Sequence, residues 1–372
     1  MRRFSPESRC TPVADWPAQD RAAWLLARRP RDPFEADGGQ ASHLKISTGQ
    51  TLESGYGRWL GWLERTGQLD AAAPPGSRVT LDRVKAYRDA LRALGQADYT
   101  VGGRLQQLSR VLSAISPESD WSWIHRAGCA INAKAVPARD LRSRMQAPAD
   151  ILRLAEDLMD AAEHGRFWTP CDRAKLFRDG LILALLVHRP LRCANFAALT
   201  LDAELDGDGD SWRIDIPGER TKNGEGIAGG WPEDLVRSLH TYLAKHRPQL
   251  MKAARGKGKP SNALWISQRG TAMSMDAITF QVRSRTEEEF GTPINPHTFR
   301  HIAATTIATT NPLAMGGVMD VLGHTSIRTS EKHYNRANSL GAHARYQCTV
   351  AEVRGSRRKK GSSRQPSTES EL

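Results

Sequence analysis

Three stretches toward the C-terminal end of this 372-residue chain carry side chains suited to phosphoryl transfer. The first is His297-Thr-Phe-Arg300-His301. On a helix, residues i and i+3 share a face, so His297 and Arg300 can reach one point. The second is Leu322-Gly323-His324, a histidine just beyond a glycine-ended helix. The third is His333-Tyr334-Asn335, with Tyr334 ten residues after His324. Upstream lie Arg192, soon after Pro190, and Lys222 in a Thr-Lys-Asn triplet. A phosphodiester is anionic, and displacement at phosphorus builds charge on its non-bridging oxygens. Two guanidiniums can each give paired hydrogen bonds to those oxygens, and Arg192 and Arg300 are the candidates. A tyrosine hydroxyl, with a pKa of about 10, is a poor nucleophile at neutral pH. It needs a proton acceptor, or a phosphate made electrophilic by neighbouring cations.

Taken in order, Arg192, Lys222, His297-x-x-Arg300, Leu322-Gly323-His324 and Tyr334 resemble the tyrosine recombinase (phage integrase) family. The resemblance runs motif by motif over about 170–340. It extends loosely to 43–130, where that family carries a helical core-binding domain. It implies a site-specific DNA recombinase in which Tyr334 attacks DNA, leaves a 3′-phosphotyrosine and frees a 5′ hydroxyl for the partner duplex. It implies that His297 is the general base or an orienting group, that His324 bonds a non-bridging oxygen, and that His301 has a supporting role. Lys222 matches the family's general acid; Arg220, nearby on the same hairpin, is the alternative. The implied partners are double-stranded DNA recombination sites, a homotetramer on synapsed DNA, and accessory DNA-bending or directionality factors. The C-terminal segment after Tyr334 would pack on a neighbouring protomer. No metal, ATP or nucleotide cofactor is implied. Two features depart from the family pattern. Its members commonly place the tyrosine nine residues after the second histidine, a position held here by His333, and many carry an acidic residue where Asn195 stands. A DNA-binding regulator with an inactive site, or a type IB topoisomerase, would share this residue set.

The elements that must position these residues are mostly helical. Residues 1–42, with Pro12, Pro17, Pro30 and Pro33, read as a flexible N-terminal arm. Over 43–130 the pattern predicts a helical domain. One helix covers about 49–66, with Tyr56, Trp59, Leu60 and Leu63 on one face. Another runs from an N-capping Thr80 to Gly95, and a third covers about 101–115 and stops before Pro117. The basic stretch 131–147 reads as a linker. The catalytic domain would occupy 148–352, with helices at 149–163 and 171–188, and a short one from Arg192 to Leu199. Alternation of Trp212, Ile214 and Ile216 predicts a strand, with Lys222 on the returning arm of its hairpin. Helices follow at 232–246, 274–289, 297–309, 313–322 and 326–337. The tail 353–372 is charged, Ser-rich and without apolar anchors, so it reads as disordered. The expected fold class is therefore mainly α with a small antiparallel β-sheet, a helical core-binding domain followed by a tyrosine-recombinase catalytic domain.

Composition agrees with that picture without specifying it. The formal net charge of +12 favours an anionic partner such as nucleic acid, though a basic solvated surface would give the same number. The five cysteines are scattered, with no CxxC pair, which argues against a disulfide framework or zinc site and for a reducing cytoplasm. The start, MRRFSPESRC, lacks the apolar run of a secretory signal. The apolar run Leu181–Val187 is too short to span a bilayer and suits a buried helix, so no membrane association is expected. Asp206, Asp208 and Asp210 resemble a calcium loop, but an EF-hand needs a glutamate where Pro217 stands.

Overall fold

The computed structural model describes residues 10–30, 34, 39–136, 145–165, 169–252 and 261–310. The chain divides into two compact units, Met1–Asp140 and Leu141–Leu372.

The described residues of the first unit form the helices α1 (Ala18–Arg28), α2 (Ile46–Arg65), α3 (Leu81–Ala93), α4 (Asp98–Ile115) and α5 (Ser122–Lys134), joined by turns and loops. The stripe Leu52, Tyr56, Trp59, Leu60 and Leu63 turns α2 into the core. Thr80 caps α3 by accepting the Arg83 N–H at 3.3 Å, and Gly95 follows its end with φ +70°, a conformation open to glycine. Helices α4 and α5 approach closely at two glycines. A Cβ on Gly102 would lie 2.7 Å from the Gly128 carbonyl, and a Cβ on Gly128 would lie 2.6 Å from that of Gly102.

The irregular arm expected over 1–42 is corrected here. Helix α1 lies within that span, and Trp16, Trp24 and Ala27 belong to the core of the unit. Pro17 precedes the first turn, where its missing N–H costs no helical bond. Asp20 of α1 is fully buried, receives both guanidinium nitrogens of Arg78 at 2.6 and 2.9 Å, and accepts the Tyr56 hydroxyl at 2.7 Å. Helix α5 also runs on to Lys134, into the stretch read as linker.

The second unit opens with α6 (Pro148–His164) and α7 (Pro170–His188). Thr169 caps α7: its hydroxyl accepts the Asp172 N–H at 3.1 Å and donates to the Asp172 carboxylate at 2.6 Å. Every residue from Leu181 to Leu186 is buried, so α7 is surrounded by the core rather than laid along it. After the short α8 (Cys193–Ala197) come three antiparallel strands in the order β1 (Leu205–Asp208), β2 (Ser211–Ile216) and β3 (Ile227–Gly230). Leu205 faces Ile214, and Ile216 faces Ile227. Ile214 and Ile216 point into the core, as the alternation requires. Lys222 does not lie on a strand. It sits in the loop 217–226, which opens with a 3-10 turn at Gly218–Arg220.

The helix predicted over 232–246 is longer and less regular. It passes from a 3-10 turn through α9 (Val236–Thr241), a π turn at Tyr242–His246 and α10 (Arg247–Met251). Pro248 has no N–H to donate four residues back, and the wider turn before it accommodates that loss. Then α11 (Met275–Phe290), capped by Ser274 and ended by Gly291, leads into α12 (Pro296–Thr310). The helices expected at 313–322 and 326–337, and the tail 353–372, lie outside the described residues. Among the described residues, no helix is long and apolar enough to cross a membrane.

Candidate active site

Helix α7 ends at His188, and Pro190, two residues on, cannot continue its hydrogen-bond ladder. The chain turns there, and Arg192 becomes the N-cap residue of α8. Arg300, on α12, is 5% exposed and donates its Nη1 to the Pro190 carbonyl at 2.8 Å. The same turn that presents Arg192 is thus fastened by Arg300. Burial and the nearby charge of Arg192 lower the Arg300 pKa to about 10, so it stays cationic at neutral pH.

His297 lies one turn before Arg300 on α12 and reaches solvent. Desolvation by its flanking protein, then the charges of Arg300 and Arg192, hold its pKa below the ordinary 6.5. The imidazole is therefore neutral at neutral pH, the form able to accept a proton. The His301 ring meets it edge to face, with centroids 4.9 Å apart.

The loop 217–226 reaches this cluster through Asn223, whose Oδ1 accepts from Arg192 Nη1 at 3.4 Å. Lys222, next to Asn223, is exposed. Arg220, the alternative proton donor, is ion-paired with the buried Glu204 carboxylate. The structure therefore gathers Arg192, Arg300 and His297, with the loop carrying Lys222 tied to Arg192. His324 and Tyr334 lie outside the described residues.

Several neighbours escaped the sequence reading. Arg189 packs against β3 so closely that a Cβ on Gly229 would lie 2.4 Å from its guanidinium, and burial lowers its pKa. Glu204 and Asn223 hold the loop, and nothing in their sequence neighbourhood marks either. Asn195, which stands where many family members carry an acidic residue, is 7% exposed, and its Nδ2 has no hydrogen-bond partner among the described residues. No group of three or more His, Cys, Asp or Glu side chains among the described residues is placed to hold a metal ion.

Comparison with known proteins bears on the family of the chain. The model of the phage integrase family matches residues 155–340, half of the chain. The tyrosine recombinase XerD of Bifidobacterium longum (strain NCC 2705) is 26% identical over 303 residues, covering 77% of this chain and 86% of its own. A tyrosine recombinase XerC of Bifidobacterium longum subsp. infantis is 29% identical over 159 residues, covering 42% of each chain. Among solved structures, the XerH site-specific recombinase bound to palindromic difH substrate, a post-cleavage complex, superposes with a TM-score of 0.53 at 13% identity. That match covers 90% of this chain and 98% of XerH, and shows a shared fold. With half its length matched by the family model and its helical fold shared with XerH, this chain belongs to the phage integrase family of tyrosine recombinases.

Proposed function

We propose that the chain is a site-specific DNA recombinase that cuts and rejoins duplex DNA through a 3′-phosphotyrosyl link to Tyr334. The observation that carries this reading is the meeting of Arg192, Arg300 and a neutral His297. A buried guanidinium with a second cation nearby is costly to keep charged, and a phosphodiester bound to Arg300 and Arg192 relieves that cost. A lone basic patch for binding DNA would not need Arg300 buried.

In the proposed reaction, Arg192 and Arg300 bind the non-bridging oxygens and stabilise the charge that develops on them. The Tyr334 oxygen bonds to phosphorus and its proton passes to His297. His324 donates a hydrogen bond to a non-bridging oxygen. The bond from phosphorus to the 5′ oxygen breaks, and Lys222 supplies the proton that oxygen needs. Rejoining runs these steps backward with a 5′ hydroxyl from the partner duplex. The phosphotyrosyl bond conserves the energy of the broken link, so strand exchange consumes no nucleotide. The partners are duplex recombination sites, with four protomers assembling on two of them, and accessory DNA-bending or directionality factors. XerH, which shares the fold, is bound to a difH substrate, and this supports the reading that a recombination site is the partner.

The test is covalent trapping. Wild type and Tyr334→Phe are each mixed with nicked duplex from the ends of the genetic element encoding the chain, then run on a denaturing gel. A slow protein–DNA band in wild type alone is expected. DNA binding by the wild type with no band would mark a relative that binds without cutting.

A further inference from the structure

The loop 217–226 is rich in glycine (Gly218, Gly224 and Gly226), with Gly224 at φ +82°. Such a segment does not hold a side chain still by its own backbone. Yet the chain on both sides of Lys222 is fastened. Arg220 is ion-paired with Glu204. Thr221 is 2% exposed, and its hydroxyl donates to the Gly218 carbonyl at 2.9 Å. On the far side, Asn223 accepts from Arg192.

Glu204 is the firm end of this attachment. It is 3% exposed, and its Oε2 accepts the Thr200 hydroxyl at 2.5 Å and the Thr200 N–H at 3.1 Å. Its backbone carbonyl accepts the Asp215 N–H of β2 at 2.9 Å. Thr200 follows closely on α8, the helix that Arg192 caps. One buried carboxylate therefore joins the segment presenting Arg192 to the loop presenting Lys222.

We infer that Glu204, acting through Arg220, is a positioning residue for Lys222 in the cleavage step. The inference rests on the proposed role of Lys222 as the group that protonates the departing 5′ oxygen. Loosening the attachment withdraws the proton donor while leaving Arg192, Arg300 and His297 in place. Misplacement by about 1 Å costs on the order of 100-fold in rate, so cleavage of ordinary DNA by Glu204→Gln should fall by about 10- to 100-fold.

The experiment separates positioning from simple structural damage by changing the leaving group. Once the cut position has been mapped from the trapped adduct, the nicked duplex is made with either oxygen or sulfur bridging phosphorus to the 5′ carbon. A thiolate, whose thiol has a pKa of about 8.5, leaves without being protonated. Single-turnover cleavage is measured for wild type, Lys222→Ala, Glu204→Gln and Arg220→Met. Arg220 is half-exposed, so Arg220→Met keeps the test open if Glu204→Gln does not fold. Slow cleavage of the oxygen duplex by all three variants, with the sulfur duplex cut within about threefold of wild type, is the expected result. Equal losses on both duplexes for Glu204→Gln and Arg220→Met, or no loss on either, would overturn the inference while leaving Lys222 as the acid. If sulfur fails to rescue Lys222→Ala, the role of Lys222 itself fails and the inference falls with it. If wild type cuts neither duplex, the proposed activity is at fault.

Discussion

The Arg300 guanidinium donates to the Pro190 carbonyl at 2.8 Å, so a residue of α12 fixes the turn from which Arg192 is presented. A lysine cannot reproduce this, because a single ammonium lacks the planar fork that can hold a carbonyl and a phosphate oxygen at once. Arg300→Lys should lower the single-turnover cleavage rate by about 100-fold or more, in line with the loss of one oxyanion donor. DNA affinity, measured at one fixed salt concentration, should change by less than about threefold, because the charge remains. Equal losses of binding and cleavage would assign Arg300 to general DNA contact.

The state of His297 gives a pH test. Burial and the two arginines depress its pKa below 6.5, so the neutral form is favoured across neutral pH. Cleavage should be flat near pH 7 and fall only as acid protonates His297. Replacing Arg192 by alanine removes one of the depressing charges, so the acid limb should move to higher pH, toward the ordinary histidine value. The same depression affects folding: the folded chain resists protonation here, so this group's contribution to stability is present above 6.5 and is lost as pH falls below it. An acid limb that stays in place in Arg192→Ala would separate His297 from the proton transfer.

In the first unit, the Arg78–Asp20 pair is fully buried with the Tyr56 hydroxyl beside it. Desolvation, with Asp20 next, raises the Tyr56 pKa well above its ordinary value, so it remains a neutral donor. Arg78→Met strands the Asp20 carboxylate in the core and should cost about 3–5 kcal/mol in denaturant unfolding. Tyr56→Phe removes one hydrogen bond to a charged group and should cost about 1.5–3 kcal/mol. Similar small losses for both variants would show that water reaches Asp20.

The net charge of +12 bears on binding rather than on chemistry. DNA affinity should fall linearly on a log–log plot against salt, with a slope of about −0.9 for each phosphate contacted. A flat plot would remove the phosphate backbone from the interface.

Local rules made much of this fold readable. Thr80 and Gly95 bracket α3, the spacing of Tyr56, Trp59, Leu60 and Leu63 turns α2 inward, and alternation marks β2. Helix α1 was hidden because Pro12, Pro17, Pro30 and Pro33 read as breakers, although Pro17 stands where a helix begins. Lys222 lies in a loop rather than on the returning arm of the hairpin, because the glycine-rich stretch after Pro217 opens a longer connection. His297 and Arg300 are legible because one helix sets their spacing. The pairing of Glu204 with Arg220 is not, because it depends on how β1 and β2 bring residues 16 apart in sequence together in space.

Whether the DNA is joined to Tyr334 is the central question, and the ten-residue step from His324, with Tyr346 farther on, makes its position worth measuring directly. The trapped adduct would be digested with protease and nuclease, and the nucleotide-bearing peptide sequenced by mass spectrometry. The account expects the phosphoryl group on Tyr334 alone, with no adduct from Tyr334→Phe. A nucleotide on Tyr346, or on any serine, threonine or histidine, would contradict it.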